Sequence, residues 1–154
     1  MESRRRYAPI RFVDMDGRDV EDPCVIDQGN CLPVLAVRLV PAGSQDNGGS
    51  PCLALLDTGC DYTHVAPEML DTVRGRLVRE VSTAGVTGSL ETSAFDCTLI
   101  IPLNDGNVVA AATDAIRSPG LSGRPYAVLL GRSLLRHGRL VMDYKDRIFR
   151  LYLE

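Results

Sequence analysis

Leu55-Leu56-Asp57-Thr58-Gly59 is the stretch whose reading decides the fold. The residues before it, from Cys52, are small or apolar without alternation, the pattern of a short strand covered on both faces. That strand runs straight into a carboxylate on a tight Asp-Thr-Gly turn. Bringing an unpaired carboxylate against apolar surroundings costs free energy, and chemistry is the best reason to do so. An isolated Asp-Thr-Gly occurs by chance in many chains. Here it continues as Cys60-Asp61-Tyr62-Thr63, and Val128-Leu129-Leu130-Gly131-Arg132-Ser133-Leu134-Leu135 follows far along the chain.

Composition narrows the function classes. A chain of 154 residues can bury a real core without staples. A net charge of -3 offers no electrostatic case for a nucleic acid or membrane partner. Arg4-Arg5-Arg6 is the only basic cluster and reads as a solvated tail. No apolar run approaches the roughly 20 residues of a membrane helix, and no signal-peptide segment opens the chain. The expectation is therefore a soluble, cytoplasmic protein. Cys24, Cys31, Cys52, Cys60 and Cys97 are odd in number and lack paired spacing, so reduced thiols are expected. With no Trp and 5% aromatic residues, the core must rest on Leu, Val, Ile and Ala.

Residues 1–30 are charged and turn-rich and read as an N-terminal extension, with a strand over 7–13 and a turn at Asp14-Met15-Asp16-Gly17. The main domain is expected over 31–154. Strands are expected at 33–39, 52–57, 76–82, 98–103, 108–112, 126–130, 140–144 and 148–153. Asn104-Asp105-Gly106-Asn107 is a tight-turn sequence. Pro67 and Glu68 suit the first turn of a short helix over 66–73, and a second short helix is expected over 132–137. Many short strands with frequent turns indicate a small all-β barrel.

The segments 57–63 and 128–135 together resemble the two signature segments of retropepsin-like aspartic proteases, the family of the retroviral proteases, and the resemblance covers residues 31 to 154. It implies a closed all-β barrel with one short C-terminal helix, acting as a homodimer on a polypeptide substrate without metal or cofactor. Asp57 would be the catalytic residue. Thr58 would hold two such turns together across the dimer axis, and Gly59 would let substrate and partner chain come close. Asp61 would bind substrate main chain and pair with Arg132, which with Gly131 braces the site. Ala84-Gly85-Val86-Thr87-Gly88 resembles the flap that closes over substrate, with Gly85 and Val86 touching it.

Hydrolysis by carboxylates needs two of them side by side, one protonated and one ionised. The chain has a single Asp-Thr-Gly; Asp71-Thr72-Val73 lacks the glycine. The second carboxylate must then come from Asp57 of another copy, on a twofold axis. Two departures from the family pattern stand out: Cys60 replaces the usual alanine, and Ser133 stands where Asn or Asp is common. The segment 104–125 is also longer than in the viral enzymes.

Plainer roles compete with these. Asp57 could cap its own turn, and Asp61 with Arg132 could be an ordinary surface pair. Cys60 and His64 raise a thiol or metal site, but no Cys-x-x-Cys is present and the chain has 2 histidines. His137 reads as a helix C-terminal cap. The alternative function is a non-proteolytic dimerisation or peptide-binding module that keeps the barrel.

Overall fold

Short strands paired out of chain order build the molecule. The structure is a computed structural model that describes residues 5–44, 48–85 and 88–153. Its strands are β1 (Ala8–Pro9), β2 (Arg11–Val13), β3 (Asp19–Val20), β4 (Leu32–Val40), β5 (Ser50–Leu56), β6 (Thr63–Val65), β7 (Leu77–Gly85), β8 (Gly88–Pro102), β9 (Val108–Arg117), β10 (Val128–Leu130), β11 (Gly138–Asp143) and β12 (Ile148–Leu153). The helices are α1 (Pro23–Asp27), α2 (Pro67–Val73) and α3 (Arg132–Leu135). None among the described residues is long and apolar enough to cross a membrane.

The large sheet runs β3-β2-β4-β5-β10-β6-β9-β8-β7, and β8 also pairs with β4 through Arg38↔Ile100, Leu39↔Leu99 and Val40↔Thr98. That extra pairing closes β4, β5, β10, β6, β9 and β8 into a barrel, which removes the open edges those strands would otherwise carry. Fully buried Leu35, Leu39, Leu99, Ile101, Leu130 and Leu151 anchor its core, with no Trp needed. At about 25 cal/mol per Å² of apolar area, such side chains each supply around 2 kcal/mol.

The N-terminal strands belong to the same sheets. β2 pairs with β4 and β1 with β12, Ala8 lying opposite Leu151. Phe12 and Val13 are buried, and Phe12 meets Phe149 edge-on at 4.9 Å between ring centres. Asp27 on α1 makes two hydrogen-bonded contacts with the Arg147 guanidinium, 2.8 and 2.7 Å long.

The expected turns form where the sequence puts them. Asp14 accepts from the Asp16 amide at 2.9 Å and Gly17 takes φ +81°; Asp105 accepts from the Asn107 amide at 3.0 Å, beside Gly106 at φ +85°. Differences lie in length and number. β8 spans 15 residues rather than the six expected, because β7 and β9 pair along both of its sides and hold a polar stretch extended. β3, β6 and α1 are additional elements. α1 starts at Pro23 with the Asp22 carboxylate accepting from the Cys24 amide at 2.9 Å, a standard N-cap.

Candidate active site

β5 and β10 are parallel neighbours in the register Leu55↔Leu129 and Leu56↔Leu130. Parallel strands in register end on the same side, so the residues that follow them, Asp57 and Gly131, come together. The Asp57 amide donates to the Leu130 carbonyl at 3.0 Å, which extends the ladder one step past β5. Two segments far apart in the chain thus meet at one end of the barrel.

The turn itself is built from backbone. The Cys60 amide donates to the Asp57 carbonyl at 3.2 Å, and the Gly59 amide donates to Asp57 Oδ1 at 2.9 Å. Asp57 is half-buried, while Thr58 and Gly59 are exposed. One carboxylate oxygen is therefore held by its own turn, and the residue stays partly exposed.

The start of α3 supports this turn. The first amides of a helix have no partner within it. Here Arg132 and Ser133 donate to the carbonyls of Cys60 and Asp61, each at 2.8 Å. Arg132 Nη1 donates to the Thr58 carbonyl at 3.2 Å, and Nη2 donates to Asp61 Oδ1. The Arg132 and Asp61 side chains are 57% and 67% exposed, so their pairing alone adds little stability. Its effect is geometric: one guanidinium ties both ends of the 58–61 loop. Gly131 has an ordinary extended backbone, φ -91°. What it supplies is room, because a Cβ there would run into the Tyr62 backbone.

Asp57, Thr58, Gly59, Asp61, Gly131 and Arg132 thus form one cluster. Gly85 does not join it; it ends β7 on the edge of the large sheet and pairs with Gly88 across a hairpin. Val86, expected at the tip of that hairpin, lies outside the described residues.

Sequence reasoning considered His64 only beside Cys60, for a thiol or metal site. It lies on β6 opposite Leu129 of β10, and Leu129 is opposite Leu55 of β5. Residues opposite one another share a sheet face, and Asp57 follows Leu55 by two, so His64 stands on the side of the sheet that carries Asp57. Burial pushes its imidazole below the usual range, while the Asp57 charge acts the other way. His64 Nδ1 lies 2.5 Å from Ser118 Oγ. No local signal links two residues that far apart in the chain.

Cys60 donates its thiol to the Tyr62 carbonyl at 3.3 Å. Burial first, then the nearby Asp57 charge, raises this thiol above its ordinary range, which opposes a thiolate nucleophile. Ser133 Oγ and Thr63 Oγ1 are buried without a hydrogen-bond partner among the described residues. No three His, Cys, Asp or Glu side chains among those residues are grouped to hold a metal ion.

No family model matches the sequence, and no curated protein does. Among solved structures the chain is similar to the EIAV protease complexed with an inhibitor, with 22% identity, 72% of this chain and 93% of that one covered, and a TM-score of 0.49. It is also similar to the simian foamy virus (mac) protease, with 19% identity, 65% and 88% covered, and a TM-score of 0.42. These likenesses concern the fold alone, which in this chain is mostly β with a closed barrel and few short helices.

Proposed function

We propose that this chain is an aspartic endopeptidase, active as a twofold homodimer in which the Asp57 carboxylates of two copies form the dyad. The observation that carries this is the state of Asp57. It stands on a turn at the barrel end whose next two residues are exposed, with one oxygen held by the Gly59 amide and no ion pair among the described residues. The nearest acid along the loop, Asp61, is paired with Arg132. Among the described residues no hydrogen bond joins its carboxylate to a second acid.

Two such carboxylates about 3 Å apart cannot both ionise at moderate pH and titrate as a unit. The ionised one takes a proton from a water as the water attacks the peptide carbonyl, and the protonated one donates to the carbonyl oxygen. The Gly59 amide, by holding Oδ1, keeps each carboxylate aimed. Thr58, exposed on the turn, grips the partner's turn, and Gly59 leaves space for a substrate backbone. Asp61 receives substrate main chain, with Arg132 and Gly131 holding it from behind. The β7–β8 hairpin, with Gly85 and Val86, closes over the peptide and excludes water. Substrate lies extended, bound through its backbone and selected through side-chain pockets. The chain's five free thiols suit a reducing compartment such as the cytoplasm.

The test is Asp57→Asn. Loss of all peptide cleavage with size and peptide binding unchanged supports the enzyme. An unmodified chain that binds peptides yet cleaves no member of a peptide library favours the non-proteolytic module instead.

A further inference from the structure

Closure of the barrel uses only the end of β9. One side of that strand pairs with β8 from Val108↔Pro102 to Ile116↔Ala94, while the other meets β6 at Ala115, Ile116 and Arg117 alone. Over residues 108–114 this second side has no strand partner among the described residues. Alternate residues of a strand turn both N–H and C=O to the same side, so about three residues there present both groups outward.

A cavity of about 580 Å³ lies along this edge, within the range of roughly 300–1,000 Å³ that suits a ligand. Residues 109–114 all line it, together with Leu134 and Arg136. Successive strand residues point to opposite faces. An unbroken run of lining residues therefore places the cavity along the strand's edge, where backbone is offered, and not over one face.

The edge is also bare. Folded proteins guard open edges with charges, proline, bulges or brevity. β1 and β3 are two residues long, β7 carries Arg79 and Glu80, and β11 carries Arg139 and Asp143. Residues 108–113 read Val-Val-Ala-Ala-Ala-Thr, without charge or proline. Ala110 and Ala112 are exposed, and their single methyl groups leave the backbone within reach of another chain. Arg136 is exposed and makes no ion pair among the described residues; its Nε donates to His137 Nε2 at 3.3 Å, so both η nitrogens keep their donors. The acids lining the cavity are already matched, Asp96 by Arg76 at 3.2 Å and Asp114 by Arg79 at 3.7 Å. An incoming carboxylate meets one uncompensated cation.

We infer that residues 108–114 form a peptide-docking edge, which takes up as a further strand an extended segment of another polypeptide carrying an Asp or Glu for Arg136. A row of outward N–H and C=O groups is matched by a second backbone and not by a compact ligand. Backbone pairing supplies the affinity and the guanidinium the selectivity. Asp57 is not among the residues lining the cavity, and the assignment does not depend on the peptidase reading.

The test uses the Asp57→Asn chain, immobilised, so that retention is read without cleavage. An octapeptide library carrying Glu, Lys or Ala at each position is passed over it, and retained peptides are sequenced. Glu peptides are expected to be enriched about tenfold over their Ala counterparts, the effect of one charge-assisted hydrogen bond. Arg136→Glu is expected to turn the preference to Lys. Ala110→Lys combined with Ala112→Lys guards the edge from exposed positions; it is expected to abolish retention of these peptides while leaving urea unfolding unchanged. With a retained peptide bound, hydrogen exchange read by NMR is expected to slow at alternate amides within 108–114. No preference for Glu, retention of no peptide, retention that survives the double-lysine variant, or unchanged exchange along 108–114 overturns the assignment. Protection of those amides on concentrating the chain alone would make a second copy the occupant and overturns it as well.

Discussion

Adding one methyl group to Gly131 or to Gly59 separates the scaffold of the site from its chemistry. At Gly131 the new Cβ would lie 2.6 Å from the Tyr62 carbonyl carbon and 2.8 Å from its nitrogen, with the carbonyl oxygen nearer still. All three are backbone atoms, and the backbone just before them is pinned by the Arg132 and Ser133 amides, which hold the Cys60 and Asp61 carbonyls. Relief means giving up both hydrogen bonds, about 1 kcal/mol each, on top of an overpacking penalty of about 1–3 kcal/mol. Gly131→Ala should therefore lose about 3–5 kcal/mol, a large share of a domain stability of roughly 5–15 kcal/mol. For a chain of this size that lowers Tm by about 10 °C. At Gly59 the new Cβ meets a single atom, Asp57 Oδ1, at 3.2 Å, and the residue is exposed. Gly59→Ala should keep stability within about 0.5 kcal/mol while displacing the carboxylate and lowering peptide cleavage. Urea denaturation and a cleavage assay on both variants give the comparison. A Gly131→Ala chain as stable as the parent would refute the packing argument.

Other variants probe the supports. Arg132→Ala should change stability by no more than about 1 kcal/mol, since its ion pair is exposed, yet it should depress kcat/KM strongly because the 58–61 loop loses both ties; a fully active Arg132→Ala enzyme would contradict the brace. Phe12→Ala should lose about 3–5 kcal/mol in chemical denaturation, as expected of a buried ring, and a loss below about 1 kcal/mol would mean that β2 is dispensable. Burial holds the Cys52 thiol at about 11; burial, with the charges of Asp96 and Asp114, holds Cys97 at about 12. Both should resist alkylation in the native state while exposed Cys24 reacts, as mass spectrometry of iodoacetamide-treated protein will show. The sign follows for pH: folded values above the ordinary thiol value of 9.0 give stability that is intact below that pH and is lost as pH rises towards 11 and 12.

The features legible in the sequence were those written in short local runs. Asp57-Thr58-Gly59 after an apolar strand, Gly131-Arg132 before a helix, and the turns at 14–17 and 104–107 each carry their signal within a few residues. β6 is three residues long, too short for a period to show. The first half of β8, with Ser89, Glu91, Thr92 and Ser93, has no apolar alternation; its extension comes from pairing with β7 and β9. α1 did carry a signal, Asp22 before Pro23, inside a segment otherwise read as extension. The meeting of His64 with Ser118 depends on the parallel register of β6 with β9, and no local pattern encodes a register between distant strands.

Mixing subunits tests the shared dyad most directly. Unmodified chain is equilibrated with increasing amounts of the Asp57→Asn chain, and cleavage is measured at constant unmodified chain. If each copy supplies one carboxylate, mixed dimers are inactive, and activity per unmodified chain falls to about half at equal proportions and towards zero in excess. Activity that stays constant at every ratio would show that one copy suffices, and would contradict the account.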